Sequence, residues 1–198
     1  VLRALQRGGL TLLSLDQRLD ERGIPSILHE KQAGGRAVRF LIEAGRYPVL
    51  FVGRITGSAI GSNRYRGYRA ALAEAGLPLR RELVFDTAYR YSAGYEAVRR
   101  AIDAGTDFSA VQASSDEIAL GAMAALHDHG RRVPEDVAVI GFGNIDWGAH
   151  MRPALTTLSV HHDAVAAALR SALQNAEGGA EVPMLVSIGR SLIRRASA

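Results

Sequence analysis

From residue 34 onward the apolar positions fall into a repeating beat. Gly34-Gly35 opens a helical pattern with Ala37, Val38, Leu41 and Ile42 on one face, and Gly45 closes it, as a glycine past a helix end does. Behind Pro48 the unbroken apolar run Val49–Val52 reads as a buried strand that stops at Gly53. A polar loop follows, then a helix with Tyr65, Tyr68, Leu72 and Ala75 inward, ended by Gly76 and Pro78. The same alternation recurs three times. Leu83–Phe85 is a strand, and Ser92 caps a helix closed by Gly105. Phe108–Ala113 is a strand; Ser114 and Glu117, three apart, read as a capping box for a helix ending at Gly130. Val137–Ile140 is the last clear buried strand. Short apolar runs alternating with amphipathic helices predict an α/β fold, a doubly wound parallel sheet covered on both faces.

The flanks keep a different rhythm. Residues 1–29 suggest a helix up to Arg7, a strand over Leu10–Leu15 and an extended piece over Ile24–Leu28. Residues 155–160 are extended, Asp163–Ala176 is an alanine-rich helix, and Met184–Ile188 is a final strand. That is too little for a free-standing second domain and too much for a linker.

Composition narrows the function classes. The chain has 198 residues, 47% of them hydrophobic and 22% charged, which excludes a disordered or fibrous protein. Without cysteine there is no disulfide scaffold, thiolate metal site or Cys nucleophile. No apolar run approaches the roughly 20 residues of a membrane span. The first residue is Val1 and no charged-then-apolar leader follows it, so a processed product or a piece of something longer is expected. The net charge is +4, yet the arginines are dispersed in pairs such as Arg80-Arg81 and Arg131-Arg132. That pattern solubilises helix surfaces better than it builds a nucleic-acid face.

In open parallel sheets, ligands sit outside the carboxyl ends of the strands. Four loops lie there. They carry Arg64, Tyr89, Ser115 with Asp116, and Asn144 with Asp146 and Trp147. A cation, rings, hydroxyls and carboxylates at one edge suit a small polar ligand. Each also has a plainer role open to it: Arg64 as a solvated helix residue, Asp116 as a partner of a helix N-terminus, Tyr89 as loop packing. Catalytic and metal patterns are absent. Gly141-Phe142-Gly143 lacks the third glycine of a dinucleotide loop, His127 and His129 point apart, and there is no G-x-S-x-G or H-E-x-x-H. No enzymatic activity, cofactor or metal is expected.

Two stretches resemble a known family. Arg131-Arg132-Val133-Pro134-Glu135-Asp136-Val137-Ala138-Val139-Ile140-Gly141-Phe142 and Pro153-Ala154-Leu155-Thr156-Thr157-Leu158 are similar to signature segments of the lactose/galactose-repressor (LacI/GalR) family. Asp116–Ala122, Arg64-Tyr65-Arg66-Gly67-Tyr68, Gly34–Leu41 and Leu192-Ile193-Arg194-Arg195 resemble further family segments, so the likeness covers essentially the whole chain.

The resemblance implies a two-part effector-binding core of periplasmic-binding-protein type I, with three crossovers between subdomains. Residues 30–157 plus 183–198 would form the C-terminal subdomain, and 1–29 plus 158–182 the remnant of an N-terminal one. The family's helix-turn-helix is not found here. The implied function is regulation of transcription in the cytoplasm by a homodimer that binds a small polar effector, a sugar or another polar or anionic metabolite. Operator DNA would be met only through a missing N-terminal domain, and no membrane is involved. A periplasmic-type small-solute-binding protein of the same fold is the alternative. Arg64 matches the family's ligand-holding arginine, and Tyr89 the place of its aromatic ring. Two departures stand out. The family's Asn-Asp reads Ser115-Asp116, and its usual ligand aspartate has become Gly143, leaving Asn144 or Asp146 as substitutes.

Overall fold

The apolar runs of the middle of the chain become parallel neighbours in one sheet. The computed structural model describes residues 2–30 and 33–198. Within it, β3 (Val49–Gly53), β4 (Val84–Asp86), β5 (Ala110–Ala113), β6 (Ala138–Gly143) and β7 (Thr156–Val160) pair in parallel, and β9 (Arg190–Ile193) lies beside β7. The sheet order is β4-β3-β5-β6-β7-β9. Side chains alternate across it. Val49 and Phe51 join one core with α2 (Ala33–Glu43) and α3 (Ala59–Glu74), where Tyr68 and Leu72 are fully buried. Leu50 and Val52 join the other with α4 (Tyr91–Asp103) and α5 (Asp116–Asp128). Strands buried on both faces explain why their sequences read as unbroken apolar runs.

Two backbones touch where α2 meets α3. A Cβ added to Gly34 would lie 2.5 Å from the Arg64 carbonyl oxygen, and one on Gly67 would lie 2.5 Å from the Gly35 nitrogen. Glycine is what allows so close an approach. Beside this contact, Phe51, Tyr65 and Tyr68 cluster with ring centroids 5.2–6.1 Å apart. The Tyr68 hydroxyl donates to the Val49 carbonyl at 3.0 Å.

The chain divides into two units, Val1–Glu30 with His161–Arg190 and Lys31–Val160 with Ser191–Ala198. The smaller has a three-stranded sheet, order β1-β2-β8, of β1 (Ser14–Leu15), β2 (Ser26–His29) and β8 (Leu185–Ile188), all parallel. Of its helices, α1 (Leu2–Arg7) and α7 (His162–Glu177), the second packs on β2 and β8 but buries only Ala172. Leu10, Leu15, Met184 and Leu185 stay exposed.

Three expectations are corrected. Residues 183–190, expected with the larger subdomain, lie with the smaller, because β8 pairs with β2 over four residues. The strand expected over Leu10–Leu15 is ladder-paired only at Ser14–Leu15. The segment read as a loop after Gly143 contains the short helix α6 (Asp146–His150). Among the described residues no helix is long and apolar enough to cross a membrane.

If the α2–α3 contact has no room for a methyl, Gly67→Ala should cost about 1–3 kcal/mol, the range for overpacking. Urea unfolding of the variant beside the parent measures this.

Candidate functional site

The sheet order places β3 between β4 and β5, so the chain leaves β3 toward one side and later returns on the other. Loops after β3 and β5 diverge at such a reversal and leave a crevice at the carboxyl edge. The loop after β3 is held from β4. The Asp86 carboxylate accepts from the backbone nitrogens of Ile55 at 2.7 Å and Thr56 at 3.2 Å, and from the Thr56 hydroxyl. Burial pushes this carboxyl up, but the hydrogen bonds from Thr56 and Ile55 outweigh it and hold it below the usual range. The loop then folds over the start of α3, where Ser58 caps the helix by accepting from the Gly61 nitrogen at 3.1 Å.

Arg64 stands one turn further along α3. Its guanidinium lies 4.1 Å from the centroid of the Phe142 ring and donates to the Ser114 carbonyl. One side chain thereby ties α3 to the ends of β5 and β6. The half-buried Tyr89 packs its ring on the α4/α5 core, and its hydroxyl reaches α3's first turn, 3.0 Å from where a Cβ on Gly61 would be. That hydroxyl and the Ser114 Oγ are buried with no hydrogen-bond partner among the described residues.

A second group forms around Asp116, which is 1% exposed. Its Oδ1 accepts from the Thr157 hydroxyl at 2.5 Å and its Oδ2 from the Ile145 nitrogen at 2.8 Å. A Cβ on Gly141 would lie 2.2 Å from Oδ1, so glycine there makes room for the carboxylate. Burial pushes the Asp116 carboxyl up; the bonds from Thr157, Ile145 and Asn144 and the charge of Arg195 pull it only part of the way back. Asn144, in the left-handed region at φ 59°, accepts from Arg195 at 2.7 Å through its side-chain oxygen. Arg195 also donates to the Leu155 carbonyl at 2.8 Å.

The expected site residues thus separate. Arg64 lies on α3, and the Tyr89 hydroxyl reaches the first turn of the same helix. Asp116 and Asn144 are engaged in holding the loop after β6. Ser115, not Ser114, caps α5, accepting from the Ile118 nitrogen at 3.2 Å. Asp146 is exposed on the first turn of α6, next to Trp147, which is 74% exposed. Phe142, Thr157, Arg195 and Asp86 were not among the expected site residues. The first three lie inside the family-like segments; Asp86 opens the loop after Phe85, one of the four at the carboxyl edge, and only that position marked it. Among the described residues no group of His, Asp and Glu could hold a metal ion.

The sequence pattern of the periplasmic binding protein-like domain family matches residues 38–198. This chain belongs to that family. Among its curated relatives is the transcriptional regulator AscG of Escherichia coli, 35% identical over 75% of this chain and 45% of the relative. Of solved family structures, a LacI-family sugar-binding transcriptional regulator from E. coli, complexed with phosphate, superposes with a TM-score of 0.89 at 29% identity, covering 99% of this chain and 71% of that one. The regulator CelR, in complex with cellobiose, gives 0.79 at 28% identity over 94% and 65%. The chain spans about half the length of the curated relatives it matches.

The Asp116 network is testable. Asp116→Ala leaves the Thr157 hydroxyl and the Ile145 amide without an acceptor and should cost about 2–4 kcal/mol. Asp116→Asn can accept from Ile145 while donating to Thr157, so its cost should stay below about 1 kcal/mol. A carboxyl raised on folding loses the parent stability as pH climbs from the ordinary aspartate value through the raised one. The asparagine variant should therefore gain on the parent across that window in urea midpoints.

Proposed function

We propose that this chain is the effector-binding core of a LacI-type transcriptional regulator. The observation that carries the reading is Arg64, stacked on Phe142 and anchored to the Ser114 carbonyl at the sheet reversal of a family core. The guanidinium is held before any ligand arrives, which lowers the ordering cost of binding. Tyr89 brings a ring and a buried hydroxyl to the same helix start. Asp116, Asn144 and Arg195 act as the frame, and Ser115 as the cap of α5. Asp146 is the remaining carboxylate on offer to a ligand.

Relatives that are transcriptional regulators support a protein that works by binding in the cytoplasm, without catalysis and without a cofactor. Ligand binding in the core would bias the spacing of DNA-binding heads, a coupling between two sites. DNA contact would belong to a helix-turn-helix domain outside these 198 residues. The two structural units would be the family's two subdomains, the smaller one represented only in part, which fits its exposed Leu10, Leu15 and Leu185.

A homodimer completes the proposal. Tyr91, 47% exposed, stands at an open cavity of about 680 Å³ whose lining includes Leu120, Met123 and Met151, and apolar surface of this kind marks association sites. Tyr91→Arg should shift the chain toward monomer in sedimentation. A parent that is already monomeric at high concentration would remove the dimer.

A thermal-shift screen of polar metabolites tests the effector reading. At least one should raise the unfolding midpoint in a saturable way, and Arg64→Ala should abolish that rise. An unchanged shift in the variant would take Arg64 out of the site.

A further inference from the structure

A protruding ring and an apolar cavity lie one helical turn apart on the larger unit. Trp147, on α6, is 74% exposed, the highest value for any large hydrophobic side chain among the described residues. The helix that carries it is firmly seated. Gly148 is buried against Leu155, whose nitrogen donates to the Gly148 carbonyl at 2.7 Å. Just before α6, the Ile145 nitrogen donates to Asp116 at 2.8 Å. The indole is therefore held out to solvent from a fixed base, and it forgoes the burial of about 150–250 Å² that such a ring can supply. Four residues on, Met151 donates its nitrogen to the Trp147 carbonyl at 3.1 Å and lines the 680 Å³ cavity together with Tyr91. Leu120, Met123 and Ala124 of α5 form an apolar wall of that cavity. Pockets of about 300–1,000 Å³ hold ligands of drug size, so this one has room for an indole.

Charge follows the same division. The cavity lining sets His127, Arg131, Arg132 and Arg152 against one carboxylate, Glu135. Asp136 pairs with Arg132 at 2.6 Å, and the remaining rim is positive on balance. The segment that carries the indole opens instead with a carboxylate, the exposed Asp146, immediately before Trp147. A knob and a hole on one patch, with opposite charges beside them, suit a two-fold axis, because each copy then gives its partner what it receives. Two apolar cavities facing each other would leave their volume unfilled, whereas a ring entering each restores the packing density of an interior.

We infer that a second copy of this chain is joined by reciprocal exchange of Trp147: each indole enters the other copy's cavity, between Tyr91 and the α5 wall, and brings Asp146 to the rim cations Arg131 and His127. The inference rests on the homodimer proposed above and names the group that joins it. Tryptophan and tyrosine are enriched among the residues that dominate interface energies, and those residues sit in well-packed, desolvated pockets. Trp147 in such a pocket would be an anchor of this kind, with the charged rim fixing its register.

Trp147 is the only tryptophan of the chain, so fluorescence reports on this indole alone. Sedimentation of the 198-residue chain over a concentration series locates the dimer, and emission is read on the same samples. In the dimer the emission should move to the blue and iodide quenching should fall, and dilution should reverse both. Trp147→Ala should weaken the dimer about tenfold or more. Ala124→Phe, which fills the cavity from within, should weaken it as well. Asp146→Lys should do the same, and adding Arg131→Glu should restore part of that loss. Circular dichroism melts check that the variants fold, and the fluorescence of the parent stands without them. A dimer whose indole emits in the red and is freely quenched would overturn the inference, give the cavity to another occupant and leave the homodimer intact. So would a folded Trp147→Ala that dimerises unchanged. A chain that stays monomeric at high concentration would overturn both.

Discussion

A buried carboxylate organises the carboxyl edge of this sheet. Asp116 stands at the first position of α5, where the helix end favours negative charge, yet it is withdrawn from water and needs hydrogen-bond donors at its oxygens. The Thr157 hydroxyl and the Ile145 amide supply them. β7 and the chain leaving β6 are thereby fastened to α5, and Arg195 closes the ring through Asn144 and the Leu155 carbonyl. Asp86 plays a smaller counterpart of this role for the loop after β3. Asp86 and Asp116 are thus spent on holding loops in place.

Arg64 is fixed from three directions. Its backbone lies against Gly34, its guanidinium against Phe142, and one of its donors is spent on Ser114. Each constraint comes from a different element: α2, β6 and the loop after β5. A side chain normally rich in rotamers is thus reduced to few arrangements, and that loss of freedom is met during folding.

How much of this was legible in the sequence depends on range. The alternation of apolar runs and helices is local, and it predicted the parallel sheet through β6. Glycine at positions 45, 76, 105 and 130 marked helix ends because each takes a positive φ. Pairing that joins distant segments was not legible: nothing local tells Leu185–Ile188 to sit beside Ser26–His29. Site roles behaved alike. The motif marked only the position of Arg64, and the withdrawal of Asp116 needed Thr157, 41 residues away, to be placed against it. A carboxylate in a loop reads the same whether it faces water or an amide, and only tertiary structure decides which.

Ser197 is fully buried, its nitrogen donating to Ala154 at 3.0 Å, its oxygen accepting from Val139 at 2.7 Å, and its hydroxyl bridging Thr156 and the Val139 carbonyl. β9 adds its edge to the same sheet. The larger unit therefore cannot finish its sheet while residues 191–198 are still inside the ribosome. Its central strands emerge early and wait, with apolar faces uncovered, for a segment synthesised after the whole of α7 and β8. The interval before those residues emerge is when the nascent unit is most exposed to misassociation.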